Sequence, residues 1–270
     1  MNTEDIYVKI KNTKRLIKEA LSKHEKPVVA CSFGKNSMVV LHIVRHFCPN
    51  VYVLFNDTLV EYPDTYKFKK MISKKWKLNL IETKPSKTFW QIVDNYGFPL
   101  FSRKGYRDAS KYCCDYLKEY PIARILRKYK FDLYFTGLSR YESRLREFSA
   151  QKYGNYFYSK RSKHWKCHPI QDWTEENVWD YHDIYNVPYN GLYDKESPEG
   201  FNLRTGCWCC TIPIKYGKIE FLRRNYPHLW TLLLKKGIGK MILEKKVGIS
   251  VQEKQLEHLM EERPCFFDRY

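Results

Sequence analysis

Hydrophobic and polar positions follow a rhythm along the first half of this chain that predicts its elements. Ile6, Ile10, Ile17 and Leu21 recur at roughly helical spacing among charges, so residues 1–24 read as an amphipathic lead-in helix. From Pro27 the pattern changes to a short apolar run, PVVACS at 27–32, followed by a polar turn and a helical stretch at 37–47. VYVLF at 51–55 repeats the cycle with a helix from about 63 to 76, and LNLIET at 78–83 and DLYFTG at 132–137 predict two further strands. Short buried-type strands alternating with helices predict an α/β fold: a parallel sheet with helices on both faces. Such sheets bind ligands at the C-terminal ends of their strands, which places the turns after Ala30, Phe55 and Phe135 around one cleft.

Beyond about 140 the rhythm is lost. Residues 141–170 are polar and aromatic-rich, 174–185 predict a helix opened by Thr174 with Glu175 and Glu176 in its first turn, and 186–210 read as irregular. Basic helices complete the chain from 216, giving a mainly helical C-terminal extension. With no internal repeat and no low-complexity linker, the expected division is an N-terminal helix (1–26), a main α/β domain (27–215) and the basic extension (216–270).

Composition narrows the class. A length of 270 residues with 43% hydrophobic content and 12 each of Gly and Pro excludes a disordered or collagen-like chain. No stretch approaches the ~20 consecutive apolar residues of a membrane span. The opening MNTEDIYVKIKNTKR lacks the apolar core of a signal peptide, so a soluble cytoplasmic protein with no membrane partner is expected. In that reducing compartment nine cysteines point to metal or redox chemistry in preference to disulfides. The balance of 48 Lys plus Arg against 30 Asp plus Glu, a formal charge of +18, implies an anionic partner: nucleotide, nucleic acid or acidic protein.

The first strand runs into Ser32-Phe33-Gly34-Lys35-Asn36-Ser37 and then a helix. A helix N-terminus offers unpaired N–H groups and the positive end of the dipole. Gly34 permits close approach, Lys35 adds charge, and Ser32 and Ser37 add hydroxyl donors, a combination suited to phosphate or pyrophosphate. It is not a Walker A loop, because Val29 stands where Gly is required and Asn36 follows the lysine. A plain strand-to-helix turn with serine capping is the competing reading. Asp57 and Thr58 at the end of the second strand can hydrogen-bond a ribose or base, or form an Asx turn. Arg140, Arg144 and Arg146 follow the DLYFTG strand, where guanidinium forks suit phosphate or sulfate oxygens; a solvated basic loop is the alternative. Trp173, Trp179 and Tyr181 read as core, and Asn190 as a turn residue.

SFGKNS resembles the PP-loop, S-G-G-K-D-S, of the adenine-nucleotide α-hydrolase superfamily. The rest of the chain is similar to its phosphoadenosine phosphosulfate (PAPS) reductase family. Asp57-Thr58 resembles the family's D-T-G, and Thr136-Gly137 through Arg144 resembles its T-G-x-R-x-x-E-S-x-R loop. His168 through Asp194 resembles its N-P-L-x-D-W, V-W-x-Y and P-Y-N-x-L-Y-D series, all in family order over about 28–215. The resemblance implies a HUP-like PP-loop fold over 27–215. Ser32, Gly34, Lys35 and Ser37 would hold phosphates, Asp57 and Thr58 would contact the nucleoside, Gly137 would also belong to the nucleotide site, and Arg140 and Arg144 would neutralise the transferred group. Lys35 and Arg144 thereby become candidate catalytic residues. The expected ligand is an adenine nucleotide, whether ATP, adenylylsulfate (APS) or PAPS, with Mg²⁺ as a further candidate.

Cys113-Cys114 and Cys207-Trp208-Cys209-Cys210 form a second constellation. C-x-x-C spacing lets two thiolates reach one centre and a distant pair completes four ligands. Adjacent cysteines suit a cubane cluster better than a single zinc. The spacing is similar to the C-C…C-x-x-C of the APS reductase branch, which implies a 4Fe-4S cluster on Cys113, Cys114, Cys207 and Cys210, while Cys209 leaves a 207/209 register open. Cys31, Cys48 and Cys167 read as buried structural thiols. The reductases of the family carry a terminal E-C-G-L-H whose cysteine attacks the sulfonucleotide sulfur. Here Cys265, beside Arg263, is the candidate nucleophile, and no Gly-Leu-His follows it.

In the phosphate loop the departure runs the other way: Gly-Lys and the final Ser of the ATP-cleaving members are kept, but Asn36 removes a carboxylate that could help hold Mg²⁺. Three functions follow. The first is reduction of APS or PAPS with a thioredoxin-like or ferredoxin-like electron donor. The second is ATP-dependent sulfur transfer to tRNA or DNA, and the third is a non-catalytic nucleotide- or nucleic-acid-binding module. The segment KFKKMISKKWK at 67–77, with six lysines and no acid, keeps a nucleic-acid substrate in view: Phe68, Met71, Ile72 and Trp76 are expected to face the core, with Lys67, Lys70, Lys74 and Lys77 outward.

Overall fold

The computed structural model describes residues 3–99, 101–102, 105–106, 108–160, 162–201 and 203–238. In chain order the first elements are α1 (Thr3–Ser22), β1 (Pro27–Ala30), α2 (Lys35–Phe47), β2 (Tyr52–Asn56), α3 (Pro63–Lys75) and β3 (Asn79–Thr83). They are followed by α4 (Phe89–Tyr96), β4 (Phe101–Ser102), β5 (Gly105–Tyr106), α5 (Asp108–Cys114), a π turn (Asp115–Glu119), α6 (Tyr120–Tyr129) and β6 (Leu133–Phe135). Then come α7 (Arg144–Tyr153), β7 (Tyr156–Ser159), β8 (His164–Cys167), α8 (Glu175–Ile184), α9 (Lys218–Asn225) and α10 (Pro227–Leu233). The chain divides into two compact units.

The first unit comprises Met1–Thr88, Cys114–Asp194 and Arg204–Gly206. Its sheet has the order β3-β2-β1-β6-β8-β7, parallel throughout except for the antiparallel edge strand β7. Val29 pairs with Val53 on one side and Phe135 on the other, so the three strands end within a few residues of one another. Successive side chains leave opposite faces. Val29, Val53, Leu133 and Phe135 enter a core with Ile10 and Ile17 of α1, Met38 and Leu41 of α2, Ile72 of α3 and Tyr181 of α8. Val28, Leu54 and Tyr134 pack on the other face against Ile125 and Leu126 of α6. Each such buried aliphatic or aromatic side chain contributes about 1.5–3 kcal/mol, which is how two layers of helices are held on four-residue strands.

The helices on both faces and the strands at 27, 52, 79 and 133 follow the apolar pattern, whereas β7 and β8 were hidden within the aromatic-rich stretch. YFYS and HWKC interleave polar with aromatic residues, and their antiparallel hairpin has an exposed edge. In α3, Phe68 and Ile72 are buried and Trp76 packs on the core, but Met71 is 51% exposed, because it lies about 100° round the helix from Ile72.

The second unit contains Phe89–Cys113, Lys195–Leu203 and the described part of Cys207–Tyr270. Its interior is aromatic: Trp90 lies 6.2 Å from Trp208, Phe89 6.3 Å from Phe98, and Phe201 5.4 Å from Phe221, by ring centroid. No helix among the described residues is long and apolar enough to cross a membrane.

Candidate functional site

A cleft of about 320 Å³ opens in the first unit at the C-terminal ends of β1, β2 and β6. Its lining includes Ser32, Gly34, Lys35, Asn36 and Ser37 together with the apolar Ala30, Leu54, Ile122 and Tyr134. Thr58 and Gly137 complete the set of expected residues found on its lining.

The phosphate loop is fixed by interlocking contacts. Phe33 takes a left-handed φ of 56° and buries its ring against Phe55 (5.5 Å) and Phe68 (6.4 Å). Gly34 then caps α2, and the Ser37 hydroxyl donates back to Gly34 O at 2.9 Å. A Cβ on Gly34 would run into Thr205 Oγ1 and lie 3.0 Å from Tyr193 Oη. On Gly137 it would meet Asn36 C, Asn36 O and Ser37 N at 2.8 Å, so the turn after β6 lies directly on the first turn of α2. Asn190, fully buried, accepts from Leu192 N as a turn residue would and also donates towards Phe33 O (3.4 Å). His182 sets its ring nitrogens 3.0 Å from Lys35 O and 2.8 Å from Val187 O, tying α8 to the start of α2.

Lys35 is buried, and its Nζ lies 3.1 Å from Glu175 Oε1 and over the ring of Tyr193 at 5.1 Å. Trp179 is half-buried beside the same Nζ at 6.0 Å, whereas Trp173 and Tyr181 are core. Thr58 donates to Glu61 Oε1 at 2.7 Å, and Glu61 is a buried carboxylate on the cleft wall.

Asp57 lies off the lining. Its Oδ1 accepts from Leu59 N (2.9 Å) and from Tyr66 Oη (2.7 Å), an Asx turn that holds the end of β2. Arg140 and Arg144 are also off the lining: Arg140 pairs with Asp172 at 3.2 Å and Arg144 is exposed at the start of α7. Arg146 faces the cleft instead, paired with Glu142. Positions 144 and 146 point about 200° apart on a helix, so one cannot do the work of the other. Lys118, on the π turn, and Arg204 supply further cations to the lining that the sequence reading did not single out. The signal available for Lys118 was its place one helical turn beyond Cys114, in the kind of π insertion that often marks functional positions.

A family profile described as the phosphoadenosine phosphosulfate reductase domain matches residues 26–213. The chain belongs to the PAPS reductase family. It is 31% identical over 197 residues to an adenosine 5'-phosphosulfate reductase of Halalkalibacterium halodurans, covering 73% of this chain and 78% of that protein. It is 33% identical over 192 residues to one of Bacillus cytotoxicus, covering 70% and 75%. Its fold is like that of a PAPS reductase from Candida auris in a phosphate complex, with TM-score 0.56, 20% identity, and 77% of this chain and 96% of that one covered.

Against the PP-loop pattern S-G-G-K-D-S, the phosphate loop of this PAPS reductase family member departs at two places that the structure explains differently. Phe33 replaces a glycine and keeps its left-handed backbone because the ring is buried; Asn36 lines the cleft without a carboxylate. Cys31 also lines the cleft, but burial pushes its thiol up to about 11, which leaves it protonated at neutral pH.

The family's cysteine constellation implies a cluster, and the donors present suit one in part. Cys210 N donates to Cys207 O at 3.2 Å, closing the C-x-x-C turn, and Lys218 Nζ donates to the same carbonyl at 3.2 Å. Cys209 is fully buried. Burial, with Cys207, Cys210 and Cys113 adding and Lys218 opposing, pushes its thiol well above the ordinary range. Cys207 and Cys210 are half-buried, Cys113 is buried on α5 and Cys114 closes that helix. None of the eight described cysteines is in a disulfide, and among the described residues no three His, Cys, Asp or Glu side chains are grouped to hold a metal ion. Cys265 lies outside the described residues.

Proposed function

We propose that this protein is a sulfonucleotide reductase that binds APS or PAPS in the cleft with the phosphate loop at one end and the apolar residues at the other. The observation that carries the reading is a cleft whose lining combines loop hydroxyls, the start of α2 and the cationic residues Lys35, Lys118, Arg146 and Arg204 with the apolar Ala30, Leu54, Ile122 and Tyr134. Charge-assisted hydrogen bonds from such groups stabilise a phosphosulfate as negative charge moves onto the departing phosphate. Ser32, Gly34, Lys35 and Ser37 hold the phosphate with Gly137 packed against that loop, Thr58 borders the nucleoside, and Arg146, on the cleft lining, takes the role expected of Arg140 and Arg144, which lie off it.

In the chemical step the Cys265 thiolate attacks the sulfate sulfur. An S–S bond forms, the S–O bond to the nucleotide breaks, and AMP (or adenosine 3',5'-bisphosphate, from PAPS) leaves. One thiolate of a thioredoxin-like dithiol donor then attacks the Cys265 sulfur, breaking its bond to the sulfonate to release sulfite and forming a mixed disulfide, which the donor's second thiolate resolves by attacking the donor sulfur and freeing the Cys265 thiolate. The donor is oxidised to a disulfide, and sulfur gains two electrons. Cys113, Cys114, Cys207 and Cys210 would hold a 4Fe-4S cluster, which when bound would tie the cysteine segments together. Anaerobic protein with APS, PAPS or ATP and a dithiol donor tests the reading: sulfite should appear from one sulfonucleotide, and Lys35→Ala should lower the rate at least tenfold.

A second reading is ATP-dependent sulfur transfer to tRNA or DNA. It draws on the intact Gly34-Lys35…Ser37 loop and on Glu61, a buried cleft carboxylate that could serve Mg²⁺ in place of the residue lost at Asn36. Pyrophosphate release from ATP that depends on added nucleic acid would select it.

A further inference from the structure

The donors of the phosphate loop are already engaged by this chain's own hydroxyls. Lys35 N donates to Tyr193 Oη at 3.2 Å. The Tyr193 hydroxyl also bonds Thr205, and Thr205 Oγ1 lies 3.2 Å from Ser32 Oγ, which is 3.4 Å from Ser37 Oγ. A chain of hydroxyls therefore runs along the loop through the space that a bound phosphate's oxygens require. Thr205 sits so close to Gly34 that a methyl group there would overlap it. It belongs to a three-residue strap, Arg204–Gly206, that is part of the first unit while the residues on either side of it are not. Gly206, at φ 139°, takes a backbone conformation closed to other residues. The strap lines the cleft along its whole length, and Arg204 places an exposed cation there.

We propose that the strap Arg204–Thr205–Gly206 is a phosphate-exchanged element of the nucleotide site: the ligand's phosphate displaces the Thr205 hydroxyl from Ser32 and Tyr193, and Arg204 then pairs with that phosphate. The inference rests on the nucleotide reading above and adds to it a residue that opposes binding and one that favours it, side by side. Two hydroxyl contacts at the loop must break before phosphate oxygens can take their place, so wild-type affinity is reduced by their strength.

Equilibrium binding of ATP, APS and pyrophosphate to wild type, Thr205→Val, Thr205→Ser and Arg204→Gln tests this. Thr205→Val, nearly the same shape without the hydroxyl, should bind about three- to tenfold more tightly. Thr205→Ser should match wild type, and Arg204→Gln should bind at least fivefold more weakly. Hydrogen exchange of the amides at 204–206 should speed up on adding ATP to wild type and be fast without ligand in Thr205→Val. If wild type binds none of the three ligands and PAPS also fails to bind, the nucleotide reading itself fails. If wild type binds but Thr205→Val binds equally or more weakly, or the strap amides become protected, the exchange is refuted and Thr205 is an ordinary part of the loop.

Discussion

Gly137→Ala is the substitution whose consequence follows most directly from the geometry. The added Cβ would lie 2.8 Å from three backbone atoms, Asn36 C, Asn36 O and Ser37 N. Ordinary contact needs about half an ångström more on every one of them, and backbone in the first turn of α2 cannot rotate away as a side-chain tip can. Ser37 donates to Gly34 O and Lys35 O faces His182, so displacing that turn strains a bonded assembly. Overpacking of this kind costs about 1–3 kcal/mol, or a melting temperature lowered by roughly 2–4 °C per kcal/mol at this chain size. The same displacement moves the loop donors, so nucleotide affinity should fall by about ten- to a hundredfold. Gly34→Ala is the control: its Cβ meets only the ends of Thr205, Tyr193 and Ser32, so stability should hold better while affinity falls. Thermal unfolding and ATP titration of both variants provide the check. Wild-type stability and affinity in Gly137→Ala would refute the argument that the turn after β6 rests on the phosphate loop.

Other outcomes follow from single side chains. Burial, with the charges of Lys166 and Arg146, pushes His168 down to about 4 from the usual 6.5. A depressed histidine stabilises the fold fully above pH 6.5 and loses that contribution as the pH falls towards 4, a change of about 3 kcal/mol. Urea midpoints of His168→Asn between pH 7 and 4 should therefore fall less steeply than those of wild type. Phe33→Gly relieves a left-handed backbone worth about 1–2 kcal/mol but removes a buried ring worth about 3–5, so a net loss near 2–3 kcal/mol is expected in chemical denaturation. Cys210→Ser should abolish iron incorporation and the brown colour, whereas Cys209→Ser should retain iron; the reverse would select the 207/209 register.

The strands β1, β2 and β6 were legible because each is a short apolar run between turn residues, β3 because Leu80 and Ile81 stand between polar residues in a β-type stretch, and the phosphate loop because Gly34, Lys35 and Ser37 stand at a spacing that few other structures need. What was not legible depends on tertiary placement. Nothing local distinguishes Arg146 from Arg144 until α7 sets them on opposite sides, and nothing near Thr205 in the chain points to Gly34, far back in the sequence, as its neighbour. Asp57 looked like a ligand residue for the same reason that it makes a good turn: a short carboxylate at a strand end finds local N–H and hydroxyl donors first. Glu61 and Lys118 carried no motif, and only the cleft that gathers them gives them meaning.

The measurement closest to the central claim is sulfite and AMP release from APS by anaerobically prepared protein with a dithiol donor. The account predicts equimolar release of both products, competed by AMP and lost in Lys35→Ala; a protein that binds APS in the cleft yet releases neither sulfite nor AMP, with PAPS equally inert, would contradict it.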